Sequence, residues 1–176
     1  DRPQSGFLEK IRRLTTDNGI VLIFDECTSG FRQTFGGLHL QYGVKPDIAT
    51  FGKALGNGYG VTAVIGRREI MEVAQSSFIS STFWTERIGS VAGLKTLEIM
   101  GREKSWERIT ELGCKIKDRW TNLGVKHGLD IRTNGLPALA TFRIPGNNWL
   151  KYKTYVTQEM LKANFLAADS IYLCIC

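Results

Sequence analysis

The run Ile20-Val21-Leu22-Ile23-Phe24 constrains the fold more than any other stretch of the chain. It is continuously apolar, rich in β-branched residues, and follows a helical segment by a short turn. A strand with one solvated face would alternate apolar and polar positions, so this run reads as a parallel strand buried on both faces. The helix before it is marked by Phe7, Leu8, Ile11 and Leu14 at helical spacing, and Asp17-Asn18-Gly19 ends it. Helix, turn and buried strand in that order point to an α/β fold. The strand runs into Asp25-Glu26, at the C-terminal edge where open α/β sheets bind ligands. Acids in that place either serve a ligand or satisfy nearby backbone, and the sequence weighs the two readings evenly.

A second short apolar run, Ile48-Ala49-Thr50-Phe51, leads into Gly52-Lys53-Ala54-Leu55-Gly56-Asn57-Gly58-Tyr59-Gly60. The glycines let the backbone turn tightly beside whatever the lysine meets. A lysine at the end of a buried strand is paired, exposed at the strand's mouth, or chemically used. Two readings of Lys53 stand side by side: a surface loop lysine, the common fate of lysines, and a lysine that forms a Schiff base with a carbonyl cofactor. The long connection from Cys27 to Asp47 lacks helical periodicity and reads as a functional loop, with His39 available to a ligand.

A third apolar run spans Val61 to Ile65, and Arg67 through Ala74 reads as a short helix. A hydroxyl-rich loop, Ser76 to Phe83, precedes a helix that starts at Glu86 and ends near Met100-Gly101. Beyond Gly101 the texture changes. Glu103 through Leu123 is a charged amphipathic helix. A turn at Gly135-Leu136-Pro137, a strand over Ala138 to Ile144, a helix over Tyr152 to Ala163 and a strand over Ile171 to Ile175 follow. The expected division is residues 1–102 and residues 103–176.

The chain has 176 residues, 43% of them hydrophobic and 23% charged, as in an ordinary soluble protein. The net charge of +6 suits anionic ligands, but the basic residues are scattered among acids and form no aromatic-interleaved stripe for nucleic acid. The four cysteines, Cys27, Cys114, Cys174 and Cys176, follow no disulfide framework. Cys174 and Cys176, alternating with apolar neighbours, read as small buried hydrophobes rather than metal ligands, and the cysteines suit a reducing, cytoplasmic compartment. No apolar run reaches the about 18 residues of a membrane span. Both ends read as interior to a longer polypeptide: Asp1-Arg2-Pro3-Gln4 starts without methionine, and Ser170 to Cys176 stops inside the last expected strand.

Three linked motifs carry a resemblance. Phe24-Asp25-Glu26-Cys27-Thr28-Ser29-Gly30-Phe31-Arg32, then Tyr42-Gly43-Val44-Lys45-Pro46-Asp47, then Thr50-Phe51-Gly52-Lys53-Ala54-Leu55-Gly56-Asn57-Gly58, resembles class III aminotransferases. These are pyridoxal-phosphate (PLP) enzymes of the aspartate-aminotransferase fold, and within them the sequence looks closest to the glutamate-1-semialdehyde aminomutase-like branch. The resemblance runs nearly the full length of the chain. It implies the second half of a large, mostly parallel sheet domain followed by part of a small α+β domain.

The resemblance also implies an amino transfer between a donor and a keto or aldehyde acceptor through a lysine Schiff base. Lys53 would bind PLP and move a proton at the substrate Cα. Asp25 would hold the pyridine nitrogen protonated, so that the ring becomes an electron sink. Cys27 would pack on the ring's face, where the family usually has valine. Thr82, helped by Ser81, would reach the cofactor phosphate of a neighbouring subunit, which implies a homodimer. Glu86 stands where the family has a neutral amide, Tyr59 where proline is common, and Arg32 serves either the loop or the substrate. The upstream phosphate-binding turn and the ring-stacking aromatic of the family are outside this chain, so this segment alone should have little activity. Racemisation on the same Lys-Asp pair, or a non-catalytic phosphate-binding α/β module, are the competing readings.

Overall fold

The computed structural model describes residues 2–80, 82 and 85–175. The chain divides after Lys104 into two compact units.

The first unit, Arg2–Lys104, holds a three-stranded sheet in the order β1-β2-β3. Helix α1 (Phe7–Asp17) leads through the Asn18-Gly19 turn to β1 (Ile23–Asp25). Strand β2 (Ile48–Phe51) pairs parallel to β1, with Ile23 opposite Ile48, Phe24 opposite Ala49 and Asp25 opposite Thr50. Strand β3 (Ala63–Gly66) returns antiparallel to β2, so the sheet is mixed. Short helix α2 (Arg68–Met71) and a 3-10 segment (Glu72–Ser76) follow.

The first strand differs from expectation. It covers three residues rather than five, and Ile20, Val21 and Ile23 are exposed, while Leu22 is buried. Burial on both faces needs a layer on each face and a neighbour on each edge. In the described residues β1 is an edge strand with one neighbour. The edge position, and the start of the ladder at Ile23, leave the apolar run largely exposed.

The core of this unit is small: Ala49, Phe51 and Leu55, with Phe31, Val61, Ala63 and Leu97 packed against it. Burying a side chain such as Phe51 stabilises the fold by about 1.5–3 kcal/mol. Leu97 comes from α3 (Arg87–Glu103), whose N-terminus is capped by Glu86: its carboxylate accepts the Ile88 N–H at 3.0 Å. Helix α3 comes so close to the glycine-rich segment that a Cβ at Gly89 would lie 2.6 Å from the Gly60 carbonyl oxygen. A side chain there would push the helix off the core.

A buried acid ties the sheet's other end. The Asp47 carboxylate accepts the Leu22 N–H at 2.8 Å and pairs with Arg12 of α1 at 2.9 Å and Arg67 at 3.1 Å. The Leu22 N–H foremost, and the two guanidiniums against the opposing effect of burial, hold its carboxyl below the usual carboxylate range.

The second unit begins at Ser105. Helix α4 (Ser105–His127) buries Ile109 and carries a ring contact of 4.9 Å between Trp120 and Phe142. Strands β4 (Arg132–Asn134) and β5 (Thr141–Arg143) form an antiparallel pair, and α5 (Trp149–Lys162) follows. Strand β4 has no apolar run to announce it. The strand expected over Ile171 to Ile175 is not formed as such. The stretch does run antiparallel to residues 138–142, through Phe142 N–H to Asp169, Ile171 N–H to Ala140 and Leu173 N–H to Ala138. Its partner contains the 3-10 turn Pro137–Leu139, which breaks the reciprocal ladder and leaves one bridge, Thr141 to Ser170.

Candidate functional site

The parallel register sets Asp25 beside Thr50, at the C-terminal ends of adjacent strands. The chain then diverges at both ends. After β1 it turns through Cys27 and Thr28. After β2 it passes through the buried Gly52 into a 3-10 turn, Lys53–Leu55. Asp25, Cys27, Thr28, Thr50 and Lys53 therefore share one sheet edge.

Asp25 is exposed but not loose. Its Oδ1 accepts the Cys27 N–H at 3.0 Å and the Thr50 hydroxyl at 3.2 Å. The backbone N–H of Cys27 is the largest cause holding its carboxyl below the ordinary range; the Cys27 side chain, the Thr50 hydroxyl and the Lys53 charge add to it against slight desolvation. Asp25 is thus a fixed anion at neutral pH, close enough to Lys53 to feel its charge.

Lys53 reaches back across the edge. Its Nζ donates to the Thr28 hydroxyl. The residue itself lies in the left-handed region, φ 44°, which costs a non-glycine residue about 1–2 kcal/mol. The turn maintains this conformation. The Lys53 carbonyl accepts the Gly56 N–H at 3.1 Å and the Asn57 N–H at 3.0 Å. Gly56 cannot carry a side chain, because a Cβ would fall 2.1 Å from the Tyr59 carbonyl oxygen. The glycine-rich stretch is a closed turn that aims one amine at the sheet edge, with Asn57 of the same turn also left-handed at φ 47°.

The second acid of the pair has a different role. Glu26 is buried, and its carboxylate accepts from the Ser29 hydroxyl, the His39 N–H at 3.0 Å and the His39 ring Nδ1 at 2.9 Å. Burial alone would raise its carboxyl, but hydrogen bonds from Ser29, His39 and Leu38 outweigh it and hold the group below its ordinary value. Glu26 folds the long loop onto the strand end. His39 is engaged there, 5.8 Å from the Phe24 ring, and belongs to the loop's scaffold.

The structure brings Asp25, Cys27 and Lys53 together. Thr82 lies in an exposed turn, and among the described residues no hydrogen bond joins it to this cluster. Ser81 falls outside the described residues. Glu86 is occupied as the cap of α3, and Arg32 is half-buried in the loop. Sequence reasoning missed Thr28 and Thr50, which touch Lys53 and Asp25; the signal was their place, three residues beyond one motif residue and three before the other. It also missed the clamp at Asp47. Among the described residues no group of three or more His, Cys, Asp or Glu is placed to hold a metal ion. None of the described helices is long and apolar enough to cross a membrane.

The family model for class-III aminotransferases matches residues 2–159. The 3-aminobutyryl-CoA aminotransferase of Cloacimonas acidaminovorans (strain Evry) is 36% identical over 158 residues, which is 89% of this chain and 36% of that protein. The FumI protein of Sphingopyxis sp. MTA144 superposes with a TM-score of 0.89 at 20% identity, over 96% of this chain and 41% of that one. An omega-transaminase from Sphaerobacter thermophilus gives a TM-score of 0.86 at 24% identity, over 96% of this chain and 43% of that one. At those identities the two structures speak for the fold alone. The chain spans well under half the length of each of these proteins.

Proposed function

The chain belongs to the class-III aminotransferase family, and on that premise we propose that it is the part of a PLP-dependent aminotransferase or aminomutase that carries the cofactor's lysine, Lys53. The observation that carries the reading is the pairing of a fixed carboxylate and a directed amine at the ends of adjacent parallel strands. Bound PLP supplies an electrophilic aldehyde carbon and a pyridine ring that takes up the electron pair left at a substrate carbon.

The residues present fit that group. Lys53 Nζ would be the amine that anchors it, and the turn behind Lys53 directs Nζ to the sheet edge. The same amine, when not bonded to the cofactor, would be placed to take and return the proton at the substrate Cα. Asp25 would keep a proton on the pyridine nitrogen, because a carboxylate held anionic by its own hydrogen bonds favours a cation beside it. Cys27 lies at the same edge, its Sγ 3.7 Å from the Thr50 hydroxyl, and offers a small apolar contact to the ring face. A module that merely bound a phosphate would gain nothing from a fixed anion at that place.

Residues 1–102 would form the C-terminal half of the PLP-binding domain and residues 103–176 part of the small α+β domain. Thr82 and Ser81 would serve the cofactor phosphate in the neighbouring subunit of a homodimer. Amino transfer belongs to the whole polypeptide, and this portion alone should have little turnover. The motif wording favours the glutamate-1-semialdehyde aminomutase-like branch, whereas the Cloacimonas relative is named a 3-aminobutyryl-CoA aminotransferase. A keto product that accumulates with an amino donor marks an aminotransferase; its absence with an isomerised product marks an aminomutase. The free thiols of Cys27, Cys114 and Cys174 suit the cytoplasm.

The test is direct. The full-length protein loaded with PLP, reduced with borohydride and digested, should yield a pyridoxyl group on the peptide containing Lys53. A modified lysine elsewhere would overturn the assignment.

A further inference from the structure

We infer that Thr50 is a positioning residue for Asp25: its hydroxyl, set opposite Asp25 by the strand register, fixes the carboxylate that meets the cofactor's ring nitrogen. The inference rests on the functional reading above and deepens it.

The geometry begins with the backbone. Asp25 and Thr50 are paired residues of parallel strands, so their side chains leave the same face of the sheet. Thr50 is half-buried and β-branched, which restricts its χ1 to few rotamers. Its Oγ1 donates to Asp25 Oδ1 at 3.2 Å. The same oxygen accepts the Cys27 thiol at 3.7 Å. Accepting a hydrogen bond polarises the hydroxyl and strengthens the one it donates.

The Cys27 N–H, at 3.0 Å, reaches Oδ1 as well. Two donors from two different strand ends therefore hold one oxygen and set the plane of an otherwise exposed carboxylate. A terminal carboxyl torsion is broad and roughly two-fold when nothing holds it. The backbone donor alone leaves rotation about the bond to that oxygen, and the hydroxyl removes it. Asp25 also stays anionic partly because of this hydroxyl. Among the described residues no comparable donor from the sheet reaches the neighbouring acid, Glu26, which is held by its own loop.

The experiment compares Thr50→Val, which keeps the shape and deletes the hydroxyl, with Thr50→Ser, which keeps the hydroxyl. Carbon-13 NMR of labelled aspartate in the cofactor-free full-length protein follows the Asp25 carboxyl, assigned with Asp25→Asn. Dilution into a PLP scavenger then follows cofactor loss from the loaded protein. Thr50→Val should move the Asp25 titration upward, toward the ordinary carboxylate range, and speed PLP loss roughly tenfold, the scale of one hydrogen bond to a charged group. Thr50→Ser should match the unsubstituted protein in both. If Thr50→Val does not fold, Thr50→Ala supplies the same comparison. An Asp25 titration unmoved in the folded hydroxyl-free variant, or Thr50→Ser as impaired as Thr50→Val, would overturn the inference. Absence of a Lys53 adduct in the unsubstituted protein would overturn the functional reading, and this inference with it.

Discussion

Removing the Asp47 carboxylate should loosen the strand that presents Asp25. The side chain is 5% exposed and accepts the Leu22 N–H at 2.8 Å, immediately before β1 and three residues before Asp25. In Asp47→Ala the buried Leu22 N–H loses its acceptor, at a cost of about 1–3 kcal/mol. Arg67 is exposed and regains water, so its lost pair adds little. Arg12, 23% exposed, loses more but can still turn to solvent. The amide decides the outcome, and a loss of about 2 kcal/mol is expected at neutral pH. Amide exchange at Leu22 should then accelerate about 30-fold, with the melting temperature of the full-length protein lowered. Asp47→Asn keeps an acceptor and should lose less.

The pH dependence has a definite sign. The folded Asp47 carboxyl is held below its ordinary value of about 3.9, so its contribution is fully present above that value. It is lost as pH falls through the lowered folded value. The gap between the unsubstituted protein and Asp47→Ala should therefore narrow on acidification below about pH 4. Unchanged Leu22 exchange at neutral pH, or a gap that stays constant in acid, would refute the reasoning.

Asp25→Asn should leave the fold in place and reduce turnover of the full-length enzyme roughly 10²–10³-fold, the scale of a lost electrostatic stabiliser, measured as kcat with an amino donor in excess. Glu86→Ala should cost α3 about 1 kcal/mol through loss of its N-cap, read as faster amide exchange at Ile88, with Glu86→Asp recovering most of it.

Much of the fold was legible because the apolar periods were clear. Helix α1 and strand β2 lie close to where their patterns put them, and the helix expected from Glu86 runs to Glu103. The misreadings have physical causes. Ile20 and Val21 were assigned to a strand by their apolarity, but the ladder to β2 begins at Ile23, and the edge position leaves them exposed. Strand β4, Arg132–Asn134, is polar and exists through its pairing with β5, which no local pattern reveals. At the site, the motifs pointed to Asp25, Cys27 and Lys53, and their proximity follows from two adjacent strand ends. Their place after the strand did not separate Glu26 from Asp25; only the motif resemblance did. What separates them is direction: one side chain is buried with His39 and the other faces the open edge. Thr28 and Thr50 carry no chemistry of their own and became visible only through their distances to charged neighbours.

The central claim is that Lys53 is the amine that holds the cofactor. Borohydride reduction of the PLP-loaded full-length protein, followed by peptide mass mapping, tests it in one measurement. A single pyridoxyl adduct on Lys53, absent from Lys53→Ala, is expected. A reduced adduct on another lysine, or the same adduct yield in Lys53→Ala, would contradict it.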